Sequence, residues 1–175
     1  MVHLIALTVC VSACVRSSVV EQNTPVQQTP VPTPSVLASL KADRFKADSF
    51  SIILPNSFSR KPWHGDDSGG WEFTNKKMEI STESGIYAPD VKNYGDTNYR
   101  EFQKTIDGEL VKIATYEVRD PKLLVDPSKK YCVIGRFEAS PRVGSPLVIS
   151  ACFPDPKEEQ LATQIIESIR FDGNE

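Results

Sequence analysis

The fold of this chain is decided by residues 131–153, which read YCVIGRFEASPRVGSPLVISACF. Two runs rich in β-branched and aromatic residues, Tyr131 to Glu138 and Leu147 to Phe153, stand on either side of a segment rich in Pro, Gly and Ser. Such runs predict strands, and the residue types in 141–146 predict a turn between them. The stretch therefore predicts a β-hairpin near the end of the chain.

This hairpin would bring two cysteines together. Symmetry about residue 142 places Cys132 directly opposite Cys152. Opposed residues in the closer, non-hydrogen-bonded pairs of an antiparallel ladder come near enough for a disulfide. We therefore predict a disulfide between Cys132 and Cys152, on the less apolar face of the hairpin and under a helix or loop. Such a bond persists in an oxidising compartment, and two buried free thiols are the alternative.

Apolar patterning upstream predicts four more strands, within residues 50–54, 71–74, 77–82 and 110–118. A helix is predicted from Thr97 to Asp107, because Tyr99, Phe102 and Ile106 share one helical face and Gly108 stands where a C-cap belongs.

A second helix is predicted near the C-terminus, with Asp155 as N-cap, Pro156 in the first turn and Ile165 on the buried stripe. The two helices and six strands predict an α+β domain, with a mainly antiparallel sheet of about six strands flanked by helices.

Residues 48–171 resemble the PsbP-like superfamily. The resemblance rests on the opening strand that ends in Leu54-Pro55, the middle amphipathic segment from Tyr99 to Ile106, the late hairpin, and the terminal segment from Ile165 to Phe171. It implies an α/β/α sandwich. The superfamily includes extrinsic photosystem subunits and bacterial lipoproteins without known activity, so the resemblance implies no particular reaction.

Composition narrows the functional classes. The chain has 175 residues, a formal net charge of −3 and two histidines. That charge argues against a strongly basic nucleic-acid-binding protein. The length suits one domain with a tail. No apolar run is long enough for a membrane-spanning helix.

The N-terminus carries an export signal. An apolar run from Leu4 to Val11 fits the core of a secretory signal peptide. Directly after it, Val11-Ser12-Ala13-Cys14 resembles a bacterial lipobox, which implies cleavage before Cys14 and lipid on its thiol. Val15 then favours the outer membrane, facing the periplasm. An ordinary secretory signal or a chance apolar N-terminus is the alternative.

The sequence therefore predicts three regions. Residues 1–13 are the lipoprotein signal peptide. Residues 14–36 are the lipidated Cys14 and a disordered tether rich in Pro, Thr and Gln, which lacks the apolar pattern needed to fold. Residues 37–175 are one globular domain. A proline-rich ligand for a partner protein is the alternative interpretation of the tether.

Few residues are candidates for catalysis or metal binding. The cluster from Trp63 to Asp67 contains His64 and two carboxylates, but adjacent Asp side chains diverge and the calcium-loop spacing is absent, so a solvated loop is favoured. No motif of nucleophilic, metal-dependent or phosphate-binding enzymes occurs. We predict no catalytic, cofactor-binding or metal-binding residues.

These features predict a lipid-anchored, non-enzymatic envelope protein that binds or assembles with an unidentified envelope protein. The alternative is a small-ligand-binding or enzymatic domain with a pocket near the Trp63–Asp67 loop. A metal site at the same loop is a third possibility.

Overall fold

The structure, a computed structural model, describes residues 35–124 and 126–171. These residues belong to one compact unit that spans Pro34–Glu175. The predicted signal peptide, the lipid acceptor Cys14 and the tether up to residue 34 lie outside the described residues and stay predictions. No helix in the described residues has the length and apolar character needed to cross a membrane.

Ten strands form two antiparallel sheets in this part of the chain. Their bounds are β1 (Ala42–Lys46), β2 (Phe50–Pro55), β3 (Ser59–His64), β4 (Ser68–Thr74), β5 (Glu79–Gly85), β6 (Thr97–Ile106), β7 (Glu109–Glu117), β8 (Tyr131–Phe137), β9 (Leu147–Phe153) and β10 (Arg170–Phe171). A three-stranded sheet has the order β1-β2-β10, and a seven-stranded sheet has the order β3-β4-β5-β9-β8-β7-β6.

One α-helix, α1 (Glu159–Glu167), occurs in the described residues. The helix follows directly on a short 3-10 turn, Pro156–Glu158. The amide of Lys157 in this turn donates a hydrogen bond to the Asp155 carboxylate at 3.0 Å. The predicted start of the C-terminal helix is thereby confirmed. Two further 3-10 turns are Leu37–Ser39 and Pro121–Leu123.

The predicted fold class is wrong, because the domain is mostly β rather than an α+β sheet flanked by helices. The predicted helix from Thr97 to Asp107 is the edge strand β6. Its apolar spacing fits a helix, but Phe102 and Ile106 are also an even number of residues apart and so share one face of a strand. The α/β/α sandwich implied by the PsbP-like resemblance is therefore not the observed fold.

The turn after β6 explains this error. Ile106 pairs with Glu109, so Asp107 and Gly108 alone make the connection to β7. Both have positive φ, 51° at Asp107 and 85° at Gly108, as a type I′ turn requires. Asp-Gly is a strong hairpin signal, and the predicted helix C-cap at Gly108 is wrong.

The main core lies between one face of the seven-stranded sheet and a layer made of α1 and the small sheet. α1 packs against β8, β9 and β2. Its close approach depends on Gly135, where an added Cβ would lie 2.9 Å from Cγ2 of Ile166. The small sheet contributes Phe45, whose ring meets Trp71 edge-on with centroids 4.7 Å apart.

The predicted late hairpin is confirmed, including its register. Cys132 pairs with Cys152 across β8 and β9, their Cα atoms are 4.2 Å apart, and the two residues form a disulfide. That separation matches a non-hydrogen-bonded pair. The opposite face of the hairpin carries the more apolar set and faces the main core, with Val133, Phe137 and Ile149 fully buried.

Candidate functional site

The face of the seven-stranded sheet that carries the disulfide is crossed by residues 86–96, which connect β5 to β6 and are called here the crossing segment. Two cations on the sheet hold its backbone. Arg136 donates to the carbonyl oxygens of Ala88 and Pro89 at 2.6 and 2.7 Å, and Lys112 donates to that of Val91 at 3.0 Å. The side chains of Ala88 and Val91 are buried against the sheet. The middle of the segment is therefore fixed in place.

On either side of this fixed part, large side chains point into solvent. Ile86 is 75% exposed, Tyr87 68% and Tyr94 69%, and we call these three residues the exposed trio. The ammonium of Lys92 lies 5.0 Å from the centroid of the Tyr94 ring. Tyrosine is one of the residue types enriched in protein–protein interfaces.

The Trp63–Asp67 cluster does not form a single site. Trp63 and His64 end β3, and Asp66 and Asp67 are exposed in the turn that leads to β4. The Trp63 indole Nε1–H donates to the carbonyl oxygen of Thr82 at 3.2 Å, which fixes the ring at the sheet. The stretch predicted as a loop is thus partly a strand.

A cavity of about 380 Å³ does lie beside this hairpin, between the β1–β2 turn and the strands β3 and β4. His64, Trp71 and Asp48 are among its lining residues. Across residues 35–124 and 126–171, no group of three or more His, Cys, Asp and Glu side chains is arranged to hold a metal ion.

The most distinctive cavity lies at the other end of the sheet, where β6, β7 and β8 approach the start of α1. It has a volume of about 430 Å³ and is called here the Thr115 cavity. Its lining includes Arg100, Thr115, Glu117, Tyr131, Phe153, Pro156 and Glu159.

Thr115 distinguishes this cavity from the others. Its side chain is 4% exposed, on the face of β7 that also carries the buried Val111 and Ile113. The Thr115 hydroxyl has no hydrogen-bond partner anywhere in the described chain. Buried hydroxyls are almost always hydrogen-bonded, so this one is an exception that requires an explanation.

Two ion pairs stand at the rim of the cavity. Nη2 of Arg100 lies 2.8 Å from both carboxylate oxygens of Glu159, which ties β6 to the start of α1. The ammonium of Lys130 lies 2.6 Å from Oε1 of Glu117. This hydrogen bond and the charge of Glu117 raise the pKa of Lys130.

Two tyrosines near the same strand ends, Tyr99 and Tyr116, have raised pKa values. Burial, together with a 2.5 Å hydrogen bond to Glu101, raises the pKa of Tyr99 to about 12. Burial and the nearby charge of Asp96 also raise the pKa of Tyr116. Both phenols therefore stay protonated at neutral pH and can donate hydrogen bonds.

Sequence reasoning missed both the crossing segment and the Thr115 cavity. Ile86, Tyr87 and Tyr94 stand in a stretch without periodic pattern, and that lack of pattern beside aromatic residues was an available signal. Thr115 gave no such signal, because threonine is common in strands and only the surrounding fold decides whether its hydroxyl finds a hydrogen-bond partner.

No protein-family model matches this chain, and no curated protein is significantly similar to it. Its function therefore has to be inferred from its own residues.

Proposed function

We propose that this protein is a bacterial lipoprotein, anchored by lipid on Cys14 to the cell envelope, whose domain is a non-enzymatic binding or assembly module for an envelope protein. The anchor rests on Val11-Ser12-Ala13-Cys14 at the end of the apolar N-terminal run. The disulfide between Cys132 and Cys152 supports export, because such bonds persist in oxidising compartments. Val15 favours the outer membrane over the inner one.

The exposed trio is the observation that carries the binding proposal. Its side chains lie on a segment whose centre is fixed by Arg136 and Lys112, so a partner would meet a largely preformed surface. Preorganisation lowers the entropic cost of association. Two tyrosines supply large contact areas with few rotatable bonds. Binding is proposed rather than catalysis because the sequence has no nucleophile–base or metal-dependent catalytic motif.

The anchor is tested by mass spectrometry of the mature protein purified from membranes. We expect an N-terminus at Cys14 with the mass of a diacylglyceryl group and an amide-linked acyl chain, and we expect Cys14→Ser to leave an unlipidated, poorly processed precursor. An unmodified mature N-terminus at any other residue would refute the anchor.

The partner is tested by crosslinking in intact cells, with a photoreactive amino acid at position 87. We expect one reproducible crosslinked protein. This crosslink should be lost when Ile86, Tyr87 and Tyr94 are all changed to Ser in the same chain, which then carries the photoreactive amino acid at position 92. The matched control is Leu110→Ser, because Leu110 is 58% exposed on the β6–β7 hairpin. A crosslink that survives the triple change, or no reproducible crosslink, would contradict the proposal.

The cavity beside His64 favours a second candidate, in which the domain binds a small ligand or acts on one near the Trp63–Asp67 hairpin. A screen of small polar molecules by NMR should then move the His64 ring signals, and His64→Ala should weaken the binding. Absence of any ligand that moves those signals would remove this candidate.

A further inference from the structure

The Thr115 hydroxyl is a hydrogen-bonding group with no partner in the described chain. Thr82, elsewhere in the same sheet, is a buried threonine whose hydroxyl does have a hydrogen-bond partner. Its side chain is fully buried, and its Oγ1 accepts a hydrogen bond from the Trp71 amide at 2.8 Å. Leaving a buried hydroxyl unpaired costs free energy, and a partner supplied from outside the chain would recover it. Thr115 lines a cavity but its hydroxyl oxygen is closed to solvent, so a bound molecule becomes that partner once a neighbouring side chain shifts.

The rim of the cavity argues against a charged ligand. The Arg100 guanidinium is engaged by both oxygens of Glu159, and Lys130 is engaged by Glu117. The two ion pairs carry no net charge, and an ionic ligand would have to displace one partner of a pair that is already formed. A neutral molecule has no such competition.

The rest of the lining is mostly aromatic, with Asn98 as a further polar residue whose amide donates to Glu117. Phe153 is 1% exposed, Tyr131 is half-buried opposite it on β8, and Pro156 begins the turn that leads to α1. Aromatic rings pack well against other rings in edge-on or offset arrangements. A volume of about 430 Å³ is also within the range of pockets that enclose small molecules.

From the unpaired hydroxyl, the neutral rim and the aromatic walls, we infer that the Thr115 cavity binds a small neutral aromatic molecule with one hydroxyl group, a ligand of the phenol class. The ligand hydroxyl exchanges a hydrogen bond with Thr115, and its ring lies against Tyr131 and Phe153. This site is separate from the exposed trio and does not depend on the proposed protein partner.

The test is a thermodynamic cycle with matched ligands and matched side chains. Phenol and toluene differ by a hydroxyl in place of a methyl group, as threonine and valine do. Both probes are titrated into the full-length protein labelled with ¹⁵N, and the dissociation constants are measured for wild type and Thr115→Val. We expect phenol to shift the amide signals of β7 and β8, and Thr115→Val to weaken its binding by about three- to tenfold. Toluene binding should be unchanged.

Two controls separate this result from a general effect of mutation. Thr115→Ser keeps the hydroxyl and should keep the preference for phenol. Thr82→Val removes a buried hydroxyl that does not line the cavity and should alter neither affinity. Equal weakening of both probes by Thr115→Val, signal shifts confined to the cavity beside His64, or no measurable binding of phenol would each overturn the inference.

Discussion

The two ends of the seven-stranded sheet are covered in different ways. At the β3–β5 end, the ring of Phe45 on the small sheet meets Trp71 and Phe73 edge-on, with centroids 4.7 and 5.2 Å away. At the β6–β7 end, α1 is tied to the edge strand by ion pairs, Arg100 to Glu159 and Lys104 to Glu167. Interlocking rings hold the small sheet on the first end, beside the cavity near His64, whereas salt bridges between long side chains connect the layers at the second end, beside the Thr115 cavity.

The dimensions of the two layers account for this difference. Seven strands about 4.8 Å apart make a sheet roughly 29 Å wide, whereas one helix with its side chains is about 10 Å across. The small sheet covers β4 through Phe45, and its strand β10 reaches Phe137 on β8 and the Asp107 carboxylate in the β6–β7 turn. The other ends of β6 and β7 lie beyond this contact, and near the paired residues Arg100 and Thr115 an ion pair to α1 takes the place of ring packing.

The largest expected effect is on the free energy of unfolding, when the loss of a phenylalanine ring at one end is compared with the same loss at the other end. Phe73 is fully buried and Phe102 is 42% exposed. Phe73→Ala should lower the free energy of unfolding by about 3–5 kcal/mol, because it removes a buried ring and leaves a cavity. Phe102→Ala should cost less than about 1 kcal/mol. Urea denaturation measures both, and similar losses would show that the two ends are equally packed.

The disulfide lies between the two ends, because it joins β8 to β9 on the face opposite the main core. The double change Cys132→Ser and Cys152→Ser should lower the free energy of unfolding by about 2–4 kcal/mol, since the unfolded chain gains freedom. Intact mass spectrometry of protein kept under oxidising conditions checks the bond, and two free thiols would contradict it.

A sharper comparison uses the two buried threonines. Thr82→Val leaves the Trp71 amide without its side-chain acceptor and should destabilise the protein by about 1–3 kcal/mol. Thr115→Val replaces an unpaired hydroxyl with a methyl group and should leave stability unchanged or raise it by up to about 1 kcal/mol. Thermal unfolding of the two variants under the same conditions measures this contrast. Comparable destabilisation by both would mean that the Thr115 hydroxyl has a partner.

The smallest effect concerns the alkaline pH range at the β6–β7 end. The folded-state pKa of Tyr99 is about 12, above the value of about 10 for an unfolded chain. The unfolded state then loses its proton first, so Tyr99 contributes stability below pH 10 that is lost as the pH rises towards 12.

Absorbance of the ionised phenol reports this titration directly. Glu101→Gln removes the carboxylate that accepts the Tyr99 hydrogen bond and should move the tyrosine titration to lower pH. An identical alkaline titration for wild type and Glu101→Gln would contradict the assignment.

What the sequence could predict depended on whether a pattern had one interpretation or several. The hairpin from Tyr131 to Phe153 was predicted with its register, because strong alternation, turn residues and two symmetric cysteines all agreed. The opening strand β2 and the Asp155 cap were found for similar reasons. Each depends on residues close in sequence.

Strand β6 failed because its pattern had two interpretations. Three apolar residues suggested a helix, whereas the Asp107-Gly108 turn required a hairpin. Strand β1 was missed because Ala42–Lys46 has only partly buried or exposed residues and so little apolar signal. The Thr115 cavity could not be predicted at all, since it arises where the cover of a wide sheet ends.

The pairing of β2 with β10 has a consequence for how the chain is made. Phe50, near the start of the domain, pairs with Phe171, near its end, and the Ser168 hydroxyl accepts a hydrogen bond from the amide of Ile53 at 2.8 Å. The small sheet therefore cannot be completed until Phe171 has left the ribosome. A nascent chain whose residues 168–171 are still held back would keep β2 without this partner, so the emergence of β10, and not the order of the early strands, sets the moment at which the core closes.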